Sequence, residues 1–284
     1  MDTTGDRRGA RGAASGMRFE KWQALGNDYV IVEATELDGE PTPELVGALC
    51  DRHRGVGADG VLVLAAPDAP GFVARLRIFN PDGSEAEMSG NGAREAVLYL
   101  RRAGWTDAPQ FSIQTAAGEI RPTILSDTEC RIDMGRAVLR HEGELHGFRF
   151  QHLTVGNPQT AIRVADAATL ERLDLSVLGP PIERDPQFPQ RTNVSWYAEL
   201  DPATIRARIF ERGVGETEAS GTGACGAAVA HVLRGGDSPV TVRLDGGDLE
   251  VEVGEDLHVD LTGWAVPVFA GEVDTARLLA TTDG

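Results

Sequence analysis

Glu85-Ala-Glu87-Met-Ser89-Gly90-Asn91-Gly92-Ala93 recurs 131 residues further on as Glu216-Thr-Glu218-Ala-Ser220-Gly221-Thr222-Gly223-Ala224, and Ala96 then matches Ala227. Each copy follows a strand-like run, Arg75–Phe79 or Ile205–Phe210, and opens an apolar helix-like run. The device strand–loop–Ser-Gly-x-Gly–helix has therefore been built twice. Glycines at a helix start let backbone N–H groups approach a ligand, and the helix dipole favours an anion there. Two such ends facing each other would hold one carboxylate and set a serine on either side of it. That suits chemistry on both faces of one carbon. One copy alone would be an ordinary capped helix start; matching detail at a long period marks a duplicated unit.

The rest of the composition narrows the class. A chain of 284 residues is long enough for about two domains. A net charge of −17 argues against nucleic acid or an anionic membrane as partner. No run reaches the ~18 apolar residues of a membrane span. Residues 1–16 lack the apolar stretch of a signal peptide and read as a disordered tail. Three widely spaced cysteines, Cys50, Cys130 and Cys225, fit reduced thiols in a cytoplasm, and Cys225 reads as a small buried residue. Neither they nor the six histidines have metal-ligand spacing, so no metal is expected.

Strands are expected at Arg18–Trp22, Tyr29–Val32, Val61–Leu64 and Ala74–Asn80, with a helix over Pro43–His53 capped by Thr42. The second half repeats the rhythm: Gly156-Asn157-Pro158 answers Gly26-Asn27-Asp28. Val177–Ile182 and the proline-rich stretch to Pro189 read as a connection. The expected division is an N-terminal half over 17–135, a C-terminal half over 136–264, and a last strand, about 265–281, returning to the first. Two Gly-x-Gly-x-x-Gly matches do not make a dinucleotide site. Gly55–Gly60 precedes a strand rather than a helix, and the first copy of the repeat has Glu95 where the third glycine of Gly221–Gly226 belongs.

The motifs Gly26–Tyr29, Asp51–Gly57, Phe79–Ser84, Gly90–Gly92, Gly156–Pro158, Arg191–Asn193 and Glu211–Thr217 together resemble the diaminopimelate epimerase family, from about Met17 onward. These are amino-acid racemases and epimerases that work without pyridoxal phosphate. The resemblance implies an α/β (α+β) fold of two pseudo-symmetric halves. Each is a curled, mostly antiparallel sheet or barrel around a central helix, with the site in the cleft between them. It implies a cofactor-independent isomerase acting at the α-carbon of a free amino acid, a cytoplasmic homodimer of lysine biosynthesis, with no nucleic acid or membrane partner. Ser89 and Ser220 stand at the catalytic positions. Asn27, Asn80, Asn157 and Asn193 would bind the amino acid, and Glu211 and Arg212 its charged groups. The amides of Gly90-Asn91 and Gly221-Thr222 would cradle the α-carboxylate.

The chain also departs from the family pattern. Both catalytic positions are cysteine in the family, and a serine hydroxyl is far too weak an acid to ionise near neutrality without an adjacent base. Gln159 replaces a histidine, and Gly60 a substrate-facing glutamine. Three readings stay open. The serines are an engineered exchange in an epimerase of LL- and meso-diaminopimelate. Or they are native to a homologue performing another isomerisation, cyclisation or elimination. Or the protein binds an amino acid without turnover. If the serines are native, Glu87, Glu218 and Glu211 are the candidate proton handlers, the first two favoured by their duplicated place before each serine.

Overall fold

The structure is a computed structural model and describes residues 16–280, so the expected tail lies outside the described residues but for Gly16. Period-two alternation makes the strands. In Thr204–Glu211, buried Ile205, Ala207 and Ile209 alternate with the less buried Arg206 and Arg208. Asn27–Glu33 and Gly60–Ala65 instead read as near-continuous apolar runs, because they pair in parallel and are covered on both faces.

Two sheets result. The first has eight strands, running in order Val266–Val273, Met17–Ala24, Asn27–Glu33, Gly60–Ala65, Ala74–Phe79, Ile113–Thr115 and Gly118–Ile120, with Glu85–Ala86 beside Ala74–Phe79. The second has eleven: Val138–Leu145, Phe148–Val155, Asn157–Arg163, Asn193–Asp201, Thr204–Glu211, Val240–Leu244, Gly247–Val253, His258–Trp264, Glu129–Arg136 and Pro122–Ile124, with Gly215–Thr217 beside Thr204–Glu211. From Met17–Ala24 in one and Phe148–Val155 in the other, both repeat the same succession: antiparallel, parallel, antiparallel, parallel, antiparallel. The duplication seen in one loop thus extends through six consecutive strands. Both sheets stay open.

Each sheet curls around one helix. Gly90–Arg102 is buried from Gly90 to Leu100 and packs on the first sheet and on Glu129–Arg136. Gly221–Val232 is buried from Gly221 to His231 and packs on most strands of the second. A helix buried all round belongs inside a core rather than on its surface, and the small residues Ala224, Gly226, Ala227, Ala228 and Ala230 let strands approach from every side.

Two local expectations change. The helix capped by Thr42 ends at Cys50 instead of His53, because the Asp51 carboxylate takes the His53 and Arg54 amides at 2.8 Å each and turns the chain away. The expected connection at Val177–Ile182 is a helix, Leu175–Glu183, capped by Asp174, with Pro180 and Pro181 inside it. Each proline removes one N–H donor. The carbonyls left over belong to Ser176 and Val177, which are exposed, so water can take them, while Leu175 and Ile182 bury the other face.

Candidate active site

The two Ser-Gly-x-Gly loops adopt one conformation. Ser89 sits at φ −135°, ψ 121° and Ser220 at φ −136°, ψ 119°, each capping its helix. Ser89 Oγ accepts from the Gly92 amide at 3.1 Å and Ser220 Oγ from the Gly223 amide at 3.3 Å. The glutamates opening the repeat are held alike: Arg77 binds Glu85 at 2.8 and 3.0 Å, and Arg208 Nε binds Glu216 at 2.8 Å. The helix ends meet at Gly90 and Gly221. A Cβ on either would lie 3.2 Å from the Cα of the other, tighter than most Cβ contacts, so any larger residue would push the two helix starts apart. Two sets of unpaired helix amides and two positive dipole ends therefore converge on one place.

The neighbours of the serines break the symmetry. Half-buried Ser89 accepts a hydrogen bond from the Tyr29 hydroxyl at 3.2 Å; burial raises the phenol's pKa and keeps it protonated. The Tyr29 ring fills the space a side chain at Gly60 would need, since a Cβ there would come within 2.6 Å of it. Buried Ser220 meets the Glu211 carboxyl instead. Burial pushes that carboxyl up, while the Thr217 hydroxyl, donating at 2.8 Å, and the Ser220 hydroxyl draw it part-way back. Glu87 and Glu218 are exposed; the Glu218 carboxyl lies over Gly26, whose φ of +85° is one that residues with a side chain rarely adopt. Of the three glutamates, only Glu211 is placed against a serine hydroxyl.

The asparagines form two clusters. Asn91 donates to the Asn27 side chain and to the Ala219 carbonyl, both at 3.2 Å, tying the first loop to the residue before Ser220. Asn27 in turn donates to Asp59 at 2.9 Å, and Asp59 and Asp28 are clamped by Arg52. In the second half, Asn193 donates to Asn157 at 3.0 Å and accepts from the Arg212 amide at 2.8 Å; Gln159, fully buried, also donates to Asn157. Thr222 is buried at its helix start. The Arg212 guanidinium is exposed and reaches the Gln190 carbonyl at 2.9 Å. Asn80 stands apart in an exposed turn, bonded to Ser84 at 3.0 Å.

Sequence reasoning did not single out Tyr29 as Ser89's neighbour, nor Glu183. Buried Glu183 pairs with Arg191 and accepts from the Gly213 amide at 2.8 Å, fixing the loops that carry Asn193 and Arg212. A cavity of about 300 Å³ opens beside Met88, lined also by Thr115, Glu119, Arg121, Asp133 and Gly156. Asp133, His258 and Asp260 could together reach a metal ion, but His258 Nε2 already pairs with Asp133 at 3.1 Å. Burial pushes the thiols of Cys50, Cys130 and Cys225 up to about 12, so all three stay protonated.

Paired open sheets, each around a buried helix whose Ser-capped start meets its counterpart, define a two-domain epimerase fold. Solved structures share it at low identity. A PhzF-family phenazine biosynthesis protein of Bacillus anthracis aligns with a TM-score of 0.69 at 19% identity, over 90% of this chain and 98% of that one. A hydroxyproline epimerase of Agrobacterium vitis, bound to trans-4-hydroxy-L-proline, aligns at 0.69 and 16%, over 90% and 92%. The diaminopimelate epimerase family model matches residues 19–140 and 152–268. Diaminopimelate epimerases of Pelotomaculum thermopropionicum and Stutzerimonas stutzeri are 41% and 38% identical, covering 90% of this chain and 98% and 99% of theirs. The chain belongs to the diaminopimelate epimerase family.

Proposed function

We propose that the protein is a cofactor-independent isomerase of the diaminopimelate-epimerase type, acting at the α-carbon of a free amino acid. The carrying observation is the contact of two Ser-capped helix starts at Gly90 and Gly221. In this reading the α-carboxylate lies on the amides of Gly90-Asn91 and Gly221-Thr222, and the α-carbon between Ser89 and Ser220. Removing its proton creates negative charge spread into the carboxylate, which preorganised amides stabilise where it develops. On one face the proton leaves through the Ser220 hydroxyl to the Glu211 carboxylate. On the other, the Ser89 hydroxyl, held in place by the Tyr29 hydroxyl, gives its proton to the carbon; once product has left, water returns a proton to Ser89 and takes the one held by Glu211. Asn27, Asn157 and Asn193 line the approach. The mixed acidic and basic lining of the neighbouring cavity suits a polar side chain, as in diaminopimelate. A homodimer in the cytoplasm, serving lysine biosynthesis, goes with this reading.

The serines set the rate. A hydroxyl backed by a carboxyl or a phenol is a poorer proton carrier than a thiol, whose pKa lies near the working range. Incubation with diaminopimelate in deuterated water, read by mass spectrometry, tests the proposal. Slow Cα–H exchange is expected in the protein as it stands, and faster exchange in the S89C/S220C variant, with either single variant falling short. No exchange in either form, and no ligand-induced rise in melting temperature, would overturn it.

A further inference from the structure

Arg94, fifth residue of the first central helix, is completely buried. Its hydrogen bonds go to neutral acceptors only: the Gly90 carbonyl at 3.1 Å, Asn91 Oδ1 at 2.7 Å and, more weakly, the Trp264 carbonyl at 3.5 Å. Among the described residues no carboxylate lies within ion-pairing distance of it. The next residue, Glu95, is also completely buried; neither of its oxygens has a side-chain partner, and burial pushes its carboxyl well above the usual carboxylate range. Among the described residues Arg94 is the one completely buried guanidinium, and no acidic side chain there is set as its counter-ion. An unpaired buried charge is strongly disfavoured unless something in the working state compensates it.

Its position says what that would be. The guanidinium lies beneath the junction of the two helix starts, with Nη1 at 3.5 Å from where a Cβ on Gly221 would sit. The carbonyl it holds, that of Gly90, belongs to the peptide whose N–H is the Asn91 amide. A cation on that carbonyl draws charge along the peptide and strengthens the N–H as a donor. Its other arm fixes the Asn91 side chain, which holds the Ala219 carbonyl, and that peptide's N–H belongs to Ser220. One guanidinium thereby acts on the ends of both helices.

We infer that Arg94 is the buried counter-charge of the ligand's carboxylate, a positioning residue that makes the site demand an anion between Gly90 and Gly221. This rests on the amino-acid reading above. The alternative is a structural cross-link from the helix to Trp264 and nothing more.

Calorimetry with diaminopimelate and thermal unfolding without ligand, on the full chain, separate the two. In Arg94→Met, unligated stability should hold or rise, because an uncompensated charge is gone, while affinity falls about tenfold or more, as loss of a charge-assisted contact implies. Arg94→Lys keeps the charge and loses the fork, so it should melt lower yet bind within about threefold of the parent. The inference is overturned if Arg94→Met binds like the parent, or if the lysine variant, folded, loses affinity by tenfold. Should the methionine variant fail to fold, the lysine variant decides alone. A parent protein that binds no diaminopimelate removes the amino-acid reading itself, and this inference with it.

Discussion

Glu211 touches Ser220 and Tyr29 touches Ser89, so two loops of one conformation have been given unlike chemical neighbours. The repeat in the sequence pointed instead to Glu87 and Glu218, because duplicated placement looks like shared purpose. Both sit two residues before an N-cap, where the chain is still on the surface, and both are exposed. Glu211 ends the strand Thr204–Glu211 and its counterpart after Phe79 is Asn80, so no repeat could flag it. In the S89C/S220C background, Glu211→Gln should slow Cα–H exchange roughly a hundredfold or more, the worth of a positioned base, while Glu87→Gln and Glu218→Gln change it little. Equal losses in all three would put the base elsewhere. Glu95 gives a separate test through pH. Its folded pKa lies well above the ordinary 4.5, so the folded state holds a proton that the unfolded state has released. Its carboxyl is harmless below pH 4.5 and erodes stability as pH rises above it, by about 1.4 kcal/mol per pH unit for one group. Glu95→Gln should therefore flatten the denaturant-midpoint profile above pH 5 and raise stability at neutrality; an unchanged slope would mean that Glu95 is not held neutral.

At the scale of elements, the sequence was most legible where local chemistry decides. The Thr42 cap with Pro43, both central helices and the strands before them follow from spacing and capping residues. It was least legible where a distant contact decides. Pro180-Pro181 spoke against a helix, and burial of Leu175 and Ile182 overrode them. Glu183 and Arg94 are ordinary charged residues until loops and strands far along the chain close over them. The helix-end contact at Gly90 and Gly221 makes its own prediction. Gly90→Val and Gly221→Val each force a branched side chain against the other helix, Gly90 also meeting Leu261 at 3.7 Å. Overpacking of this kind costs about 1–3 kcal/mol, so circular dichroism should still report a folded chain. Calorimetry should find diaminopimelate binding abolished, since the amides that would hold the carboxylate no longer converge. Unchanged affinity in both variants would move the ligand away from this junction.

At the scale of the whole molecule, the duplication does not produce two independent copies. Glu129–Arg136, from the first half of the chain, pairs with His258–Trp264 in the second sheet, and one residue, Ala265, separates that strand from Val266–Val273 in the first. Val266–Val273 covers the edge of Met17–Ala24 from Met17↔Val273 to Gln23↔Val266, and Phe269 stands edge-on to Phe19 at 5.8 Å. The far end of the chain therefore closes the near end, and Ala265, between the sheets, is tied by its amide to the Thr128 carbonyl at 3.0 Å. Removing residues 265–284 should leave the second sheet paired but expose the unpaired edge of Met17–Ala24 with Phe19 on it. An exposed apolar edge recruits other chains. The truncated protein should then aggregate in light scattering and be cut within the first sheet by protease, while the full chain unfolds in one cooperative transition. Val268→Asp is the control, because Val268 is 52% exposed on the same strand; a charge there leaves the pairing intact and should leave the melting temperature nearly unchanged. If truncation proved as harmless as that substitution, the two sheets would be holding together through the helix junction alone, and Gly90→Val in the truncated chain should then separate them.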